Sequence, residues 1–316
     1  MFLHALCVDG VPRDIHLHVN ENRLDNGCSY LFDVIGQNMT PTHLSMRMID
    51  FKKEEHFRQL VEALRINRTL RFLDISKASL PYDAGPETCK SLQLMFEEND
   101  SLEDLDISGE SAHLDVARFG IGLNQALTGL KKNKSLKVLR IEHQKLGLQG
   151  ANTLASVLEE NTCLREIFCE NNDINLQSFT VLVNGLQRNR SLLSLSCMDR
   201  DRLQSLNKLK REIAGLKREV NYAQSSASTS IRRSLHAAMT VGHAAVGQKL
   251  SKNPSSSATT NHRTATMSAH AASVAANAPQ VVDQDVDFVM QSLGRKWDAE
   301  AARLRRYLCR NYNVVN

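Results

Sequence analysis

The chain has 316 residues, 42% of them hydrophobic, 23% charged and only 5% aromatic. This composition is ordinary for a globular protein with a core built from aliphatic side chains, and excludes collagen-like or disulfide-framework classes. The net charge of +4 is unevenly spread: residues 1–200 carry 22 Lys and Arg against 27 Asp and Glu, while residues 201–316 carry 17 against 8.

The opening segment, Met1–Asp9, is too short and lacks the basic flank of a signal peptide. No stretch approaches the roughly 20 apolar residues of a membrane helix. The seven cysteines (Cys7, Cys28, Cys89, Cys163, Cys169, Cys197 and Cys309) are odd in number and contain no CxxC pair. That argues against both a disulfide framework and a zinc module, and the expected compartment is reducing and cytoplasmic.

From residue 38 onward one motif recurs. Asn67-Arg-Thr-Leu70, Asn99-Asp-Ser-Leu102, Asn133-Lys-Ser-Leu136 and Asn189-Arg-Ser-Leu192 share a frame; Asn161-Thr-Cys-Leu164 fits with one change, and Asn38 opens a weaker copy. Successive asparagines lie 29, 32, 34, 28 and 28 residues apart. A 28-to-29-residue period lies within the leucine-rich-repeat range. Counted from each Asn, Leu stands at position three, an aliphatic residue at six and another apolar residue at eight, as in Leu70, Leu73 and Ile75 or Leu136, Leu139 and Ile141. Positions six and eight alternate with polar residues and predict a short strand. Leu17, Val19, Asn22 and Leu24 extrapolate the pattern backwards to an earlier unit, for six to seven units in all.

The rest of each unit reads as helix. Ala151, Leu154, Ala155 and Leu158 have 3-4 spacing, repeated by Phe57, Leu60, Val61 and Leu64 and by Phe179, Leu182, Val183 and Leu186. Each helix runs into the next Asn, expected to end it in the left-handed conformation. A single strand and helix cannot bury its apolar face, so the units are expected to stack, with strands in one parallel sheet. Two longer units carry insertions, one with Pro81, Gly85 and Pro86, the other with Gly109, Gly120 and Gly122. Such insertions map to loops on one face and are either binding loops or neutral drift.

This pattern, NxSLxxLxIxxxxL followed by a helix, resembles the ribonuclease-inhibitor-like class of leucine-rich repeats over residues 11–203. The resemblance implies an α/β solenoid, a curved horseshoe with parallel strands on the concave side and helices on the convex side. The class includes ribonuclease inhibitor, the Ran GTPase-activating protein, repeat domains of immune receptors, tropomodulin and the CARMIL-type actin regulators. A repeat domain followed by a helical segment and a basic tail is similar to the last two, which implies a binding scaffold in actin regulation. A GTPase activator of the Ran type and a self-associating structural protein are the alternatives. No nucleotide-binding module is present.

The sequence contains no HExxH, nucleophile elbow or Gly-rich phosphate loop, so no enzyme, cofactor or metal is expected. His16, His18, His43, His56, His113 and His143 read as scattered. The N-x-S/T tripeptides at Asn38, Asn67, Asn99, Asn133 and Asn189 are repeat positions rather than glycosylation acceptors. Cys169 and Cys197 share a strand position and read as buried small hydrophobes. The candidate partner-binding residues lie between and just after the inward apolar positions: Asp74, Ser76 and Lys77, Asp106 and Ser108, Arg140, Glu142 and His143, Phe168, Glu170 and Asn171, then Ser196 and Met198. An exposed Phe168 and Met198 among charges would suit a protein partner.

After Leu203 the frame stops. Leu206, Leu209, Ile213, Leu216 and Val220 have 3-4-3-4 spacing, placing a helix over 204–222 that either caps the solenoid or pairs with a second copy as a coiled coil, Glu212 facing Lys217. Residues 223–282, rich in Ser, Ala and Thr without periodicity, are expected to be a disordered linker. A basic amphipathic helix is expected over 283–312, with Trp297, Arg303, Arg305 and Arg306 as candidate contacts to a partner groove or an anionic membrane. The opposite reading is docking on the chain's own acidic body. Nothing in the tail specifies nucleic acid.

Overall fold

The computed structural model describes residues 14–24, 28–110, 119–215, 218 and 283–315. The chain divides into two compact units. The first comprises Met1–Leu206 with Ser292–Asn316, and the second Asn207–Gln291.

The first unit is built on a seven-stranded sheet in which every strand pairs parallel with the next. Its strands are β1 (His16–His18), β3 (His43–Ser45), β5 (Phe72–Asp74), β6 (Asp104–Asp106), β7 (Val138–Arg140), β8 (Glu166–Phe168) and β9 (Ser194–Leu195). A smaller pair, β2 (Arg23–Leu24) with β4 (Asp50–Phe51), follows β1 and β3. Helices follow in turn: α1 (Cys28–Gly36), α2 (Glu54–Ile66), α3 (Pro86–Glu98), α4 (Gly120–Ala126) with a 3-10 turn over Leu127–Lys131, α5 (Gly147–Glu160) and α6 (Leu176–Gly185). A helix, α7, runs over 199–215, and α8 spans Asp283–Val315. Residues 207–215 of α7 and 283–291 of α8 are helical parts of the second unit.

The register follows the sequence frame. Leu17, Leu44, Leu73, Leu105, Leu139, Ile167 and Leu195, all at position six, align across the seven strands. Leu44 to Leu195 are buried in one core together with the position-eight residues Met46, Ile75, Ile107, Ile141 and Cys169. Cys169 is a fully buried free thiol as expected, whereas Cys197 is half-buried. The helices add Phe57, Leu60 and Leu64 from α2, Leu92 and Phe96 from α3, and Leu154 and Leu158 from α5. Close helix packing needs a small residue at Gly185, where a Cβ would stand 2.7 Å from Ala155 O.

Three of the asparagines act differently from the expectation. Asn67, Asn99 and Asn161 end their helices with φ near −70°, in extended backbone, not left-handed. They are buried, and their carboxamides join one unit to the next. Asn161 Nδ2 donates to Leu130 O (2.6 Å) and Asn133 O (3.2 Å), while its Oδ1 accepts from Cys163 N and Leu164 N, both at 2.8 Å. Asn99, Asn133 and Asn189 repeat all four bonds. This ladder supplies partners for buried backbone groups that neither strand nor helix can satisfy. Asn38, after α1, does take the expected left-handed conformation (φ 63°), and further left-handed residues lie in the turns after the strands, among them Glu21, Met48, Lys77, His143 and Asn171.

Pro86 opens α3 at a position where its missing N–H costs nothing. Glu54 on α2 accepts from Gly85 N (2.7 Å) and Thr88 Oγ1 (2.5 Å), fastening that insertion to its neighbour. The expected linker 223–282 lies outside the described residues, as do Leu216 and Val220. Among the described residues no helix is long and apolar enough to cross a membrane.

Candidate partner-binding face

Strand pleating puts positions five and seven of each unit on the face opposite the core. Two rows result. One runs His16, His43, Phe72, Asp104, Val138, Glu166 and Ser194; the other runs His18, Ser45, Asp74, Asp106, Arg140 and Phe168. The sequence reading captured the second row from Asp74 onward, without His18 and Ser45, and missed the first. The missing signal was the same alternation carried one residue further back, to the position before each inward aliphatic.

The first row opens with a stack of rings. His16 and His43 have centroids 3.8 Å apart and His43 and Phe72 4.0 Å apart, each pair nearly parallel. Parallel strands bring equivalent side chains within about 5 Å, which is stacking distance. Burial and the neighbouring His16 lower the His43 pKa below its ordinary value; Asp14 and Asp104 oppose this more weakly. Phe72 keeps 38% of its surface exposed.

Charge fills the middle of the face. Arg140 pairs with Asp104 across β6 and β7, and its guanidinium lies 5.1 Å from the centre of the Phe168 ring. Arg47 approaches Asp74 at 3.5 Å. Asp74 and Asp106 each accept a backbone N–H two residues on, from Ser76 (2.9 Å) and Ser108 (2.8 Å), so both also close their own turns. Burial raises the Asp106 pKa, with Asp74 adding to the effect, while the Ser108 hydrogen bonds and Arg140 hold it down. Arg47, Asp74, Asp104, Asp106 and Arg140, with His16, His43 and Phe72, line an open cleft of about 370 Å³.

Of the predicted residues, Asp74, Asp106 and Arg140 meet in this cleft, with Phe168 beside Arg140. Glu170 and Ser196 lie further along, Glu170 accepting from Asp199 N at 3.2 Å and Ser196 Oγ donating to Met198 Sδ at 3.6 Å. Glu142 is half-buried and its backbone N–H donates to Ser108 Oγ at 3.1 Å. Three assignments are corrected. Met198 has 0% exposure and belongs to the core, and Ser76 has 5% and Ser108 9%. All three occupy position nine, where the chain turns after the strand, while Glu142 and Glu170 at the same position are half-buried.

The predicted tail contacts are also corrected. Trp297 on α8 is 1% exposed, stacked on Phe179 at 5.3 Å and donating from Nε1 to Cys197 O at 3.0 Å. It packs into the repeats with Ala301 and Leu304 and so is not a membrane anchor. Arg303 donates to Asn184 Oδ1 at 2.8 Å, while Arg305 and Arg306 are exposed. Arg310 Nη2 donates to Leu186 O (3.0 Å) and to Asn189 O, the two carbonyls a following ladder asparagine would have taken. Asn311 Nδ2 adds a bond to Leu192 O at 2.8 Å. Asp201, at the start of α7, accepts from Asn171, Asn172 and Ile174 N–H at 2.6–2.9 Å and closes the last turn. Within the first unit, Trp297, Arg310 and Asn311 of α8 and Asp201 of α7 thus cover the end of the repeats. Leu203, at the head of the 206–220 stripe, is 60% exposed, and Leu206, Leu209 and Ile213 are half-buried.

No protein-family profile matches the chain, and no curated protein matches it either. Among solved structures, the chain is similar to leiomodin-1 actin-binding site 2, with 19% identity and a TM-score of 0.40 over 57% of this chain and 95% of that one. It is also similar to the tropomodulin C-terminal domain of Caenorhabditis elegans, with 16% identity and a TM-score of 0.38 over 51% of this chain and 92% of that one.

Proposed function

We propose that the chain is a non-catalytic binding scaffold, a leucine-rich-repeat solenoid that holds a protein partner on its outward, concave strand face. One observation carries this reading. Seven strands in unbroken register present a half-exposed Phe72 and Phe168, with Arg140, Asp104, Asp74 and Asp106 between them, around an open cleft. Aromatic and arginine anchors ringed by charge are the side chains that concentrate binding energy in protein interfaces. The order of repeats, helical segment and basic tail resembles tropomodulin and the CARMIL-type regulators, which makes actin the first partner to try.

The test compares the full chain with a Phe72→Ser, Arg140→Ala, Phe168→Ser variant, after circular dichroism shows that both are folded. Pelleting with actin filaments and binding to monomeric actin are measured first, then capture from cell lysate. A partner retained by the parent and lost by the variant supports the face. Equal retention by both removes the face as the binding site.

A further inference from the structure

The edge of the sheet holds a constellation beside the residues proposed to anchor the partner. His16 on β1 and His43 on β3 occupy the same register position on paired strands. Asp14, two residues before His16, places Oδ1 at 3.4 Å from His43 Nδ1. One donor atom from each of Asp14, His16 and His43 can be chosen so that all lie within 4.8 Å of one another. Thr42 Oγ1 donates to Asp14 Oδ1 at 3.0 Å and lies 2.9 Å from His43 Nδ1, so a second layer already orients two of the three groups.

We propose that Asp14, His16 and His43 bind a first-row divalent cation of the zinc type. Two imidazole nitrogens and one carboxylate oxygen are the donors that borderline ions prefer; calcium and magnesium select all-oxygen sets. Metal–donor distances of about 2.0–2.2 Å in a tetrahedron place donors about 3.4 Å apart. The present spacing reaches that value by side-chain rotation. The two imidazoles leave their parallel stack, turning edge-on so that their lone pairs converge, and the backbone stays in place. Three protein ligands leave a fourth position for water or a partner's side chain, and His16 and His43 also line the cleft. The bound ion ties the edge strand β1 to β3, where the paired segment is only three residues long.

The test titrates Zn²⁺ into the chelator-treated full chain under reducing conditions by calorimetry, with Ca²⁺ as the control ion. Parent, His16→Ala/His43→Ala and Asp14→Asn proteins are compared. All three keep the same cysteines, so zinc held by thiols is common to them and cancels. The expected result is one site that is lost in the double variant and weakened about tenfold or more in Asp14→Asn, with unchanged circular dichroism and no equivalent Ca²⁺ site. Amide exchange of residues 16–18 should slow on Zn²⁺ addition in the parent and stay unchanged in the double variant. Equal zinc stoichiometry and affinity in all three proteins, or no zinc bound by the parent, overturns the proposal. Because binding is read without a protein partner, failure here and failure of the scaffold reading are separate outcomes.

Discussion

Asn161 is the place where the ladder can be tested most directly. Its side chain is 2% exposed and makes four hydrogen bonds, two as donor and two as acceptor. Truncation to Ala leaves two carbonyls of the preceding unit and two N–H groups of its own unit buried without those partners. At about 0.5–1.5 kcal/mol for each of the four net bonds, the loss should be roughly 2–6 kcal/mol. Asn161→Asp keeps the two acceptor bonds but turns a carboxylate oxygen toward the Leu130 and Asn133 carbonyls. It should cost at least as much as Ala at neutral pH and recover on acidification, when the acid regains a proton to donate. The neighbouring Glu160→Ala removes only an exposed ion pair with Lys131 and should cost under about 1 kcal/mol. Urea unfolding followed by circular dichroism gives the midpoint and slope for each variant. A shift of less than about 1 kcal/mol for Asn161→Ala, equal to that of Glu160→Ala, would refute the claim that the ladder holds the units together.

Two further outcomes follow from the same contacts. Trp297→Ala should cost about 3–5 kcal/mol through the lost Phe179 stack and the empty volume left behind, and amide exchange in α8 should rise towards that of a free helix. Protection unchanged from the parent would show that Trp297 does not hold α8 to the repeats. Among the described cysteines, a maleimide should label exposed Cys309 first and reach Cys89 and Cys169 only on unfolding. Burial drives the Cys169 thiol far above its ordinary pKa, with Asp201, Glu170 and Glu142 adding to the effect, so almost no reactive thiolate forms. Early labelling of Cys169, read by peptide mass spectrometry, would contradict its placement.

Much of the first unit was legible in the chain because each repeat states the same constraints again. Leu at position three, aliphatics at six and eight and the 3-4 helical stripes each require burial. Five to six copies in one frame leave parallel stacking as the arrangement that buries them all. The ladder asparagines were legible as positions but not in their role. A residue that tolerates left-handed backbone is equally able to hydrogen-bond buried carbonyls, and only the neighbouring unit's geometry distinguishes the two. The turns show the converse: Met48 and Lys77 adopt positive φ although their side chains do not favour it, because the repeat geometry imposes it.

The candidate face divides along the same line. Asp74, Asp106, Arg140 and Phe168 were readable from strand alternation. Met198 and Ser76 were misread because exposure in a turn depends on the path of the backbone, which a period does not specify. The stack of His16, His43 and Phe72 joins residues 27 and 29 apart in sequence, brought together by register alone. The tail is the clearest case. Its amphipathic pattern fixes a helix with Trp297 on the apolar side, and that pattern serves a membrane, a partner groove or the chain itself equally well. Tertiary structure places Trp297 and Arg310 on the chain itself: the last repeat leaves the carbonyls of Leu186 and Asn189 with no following asparagine, and Arg310 takes them while Trp297 packs on Phe179.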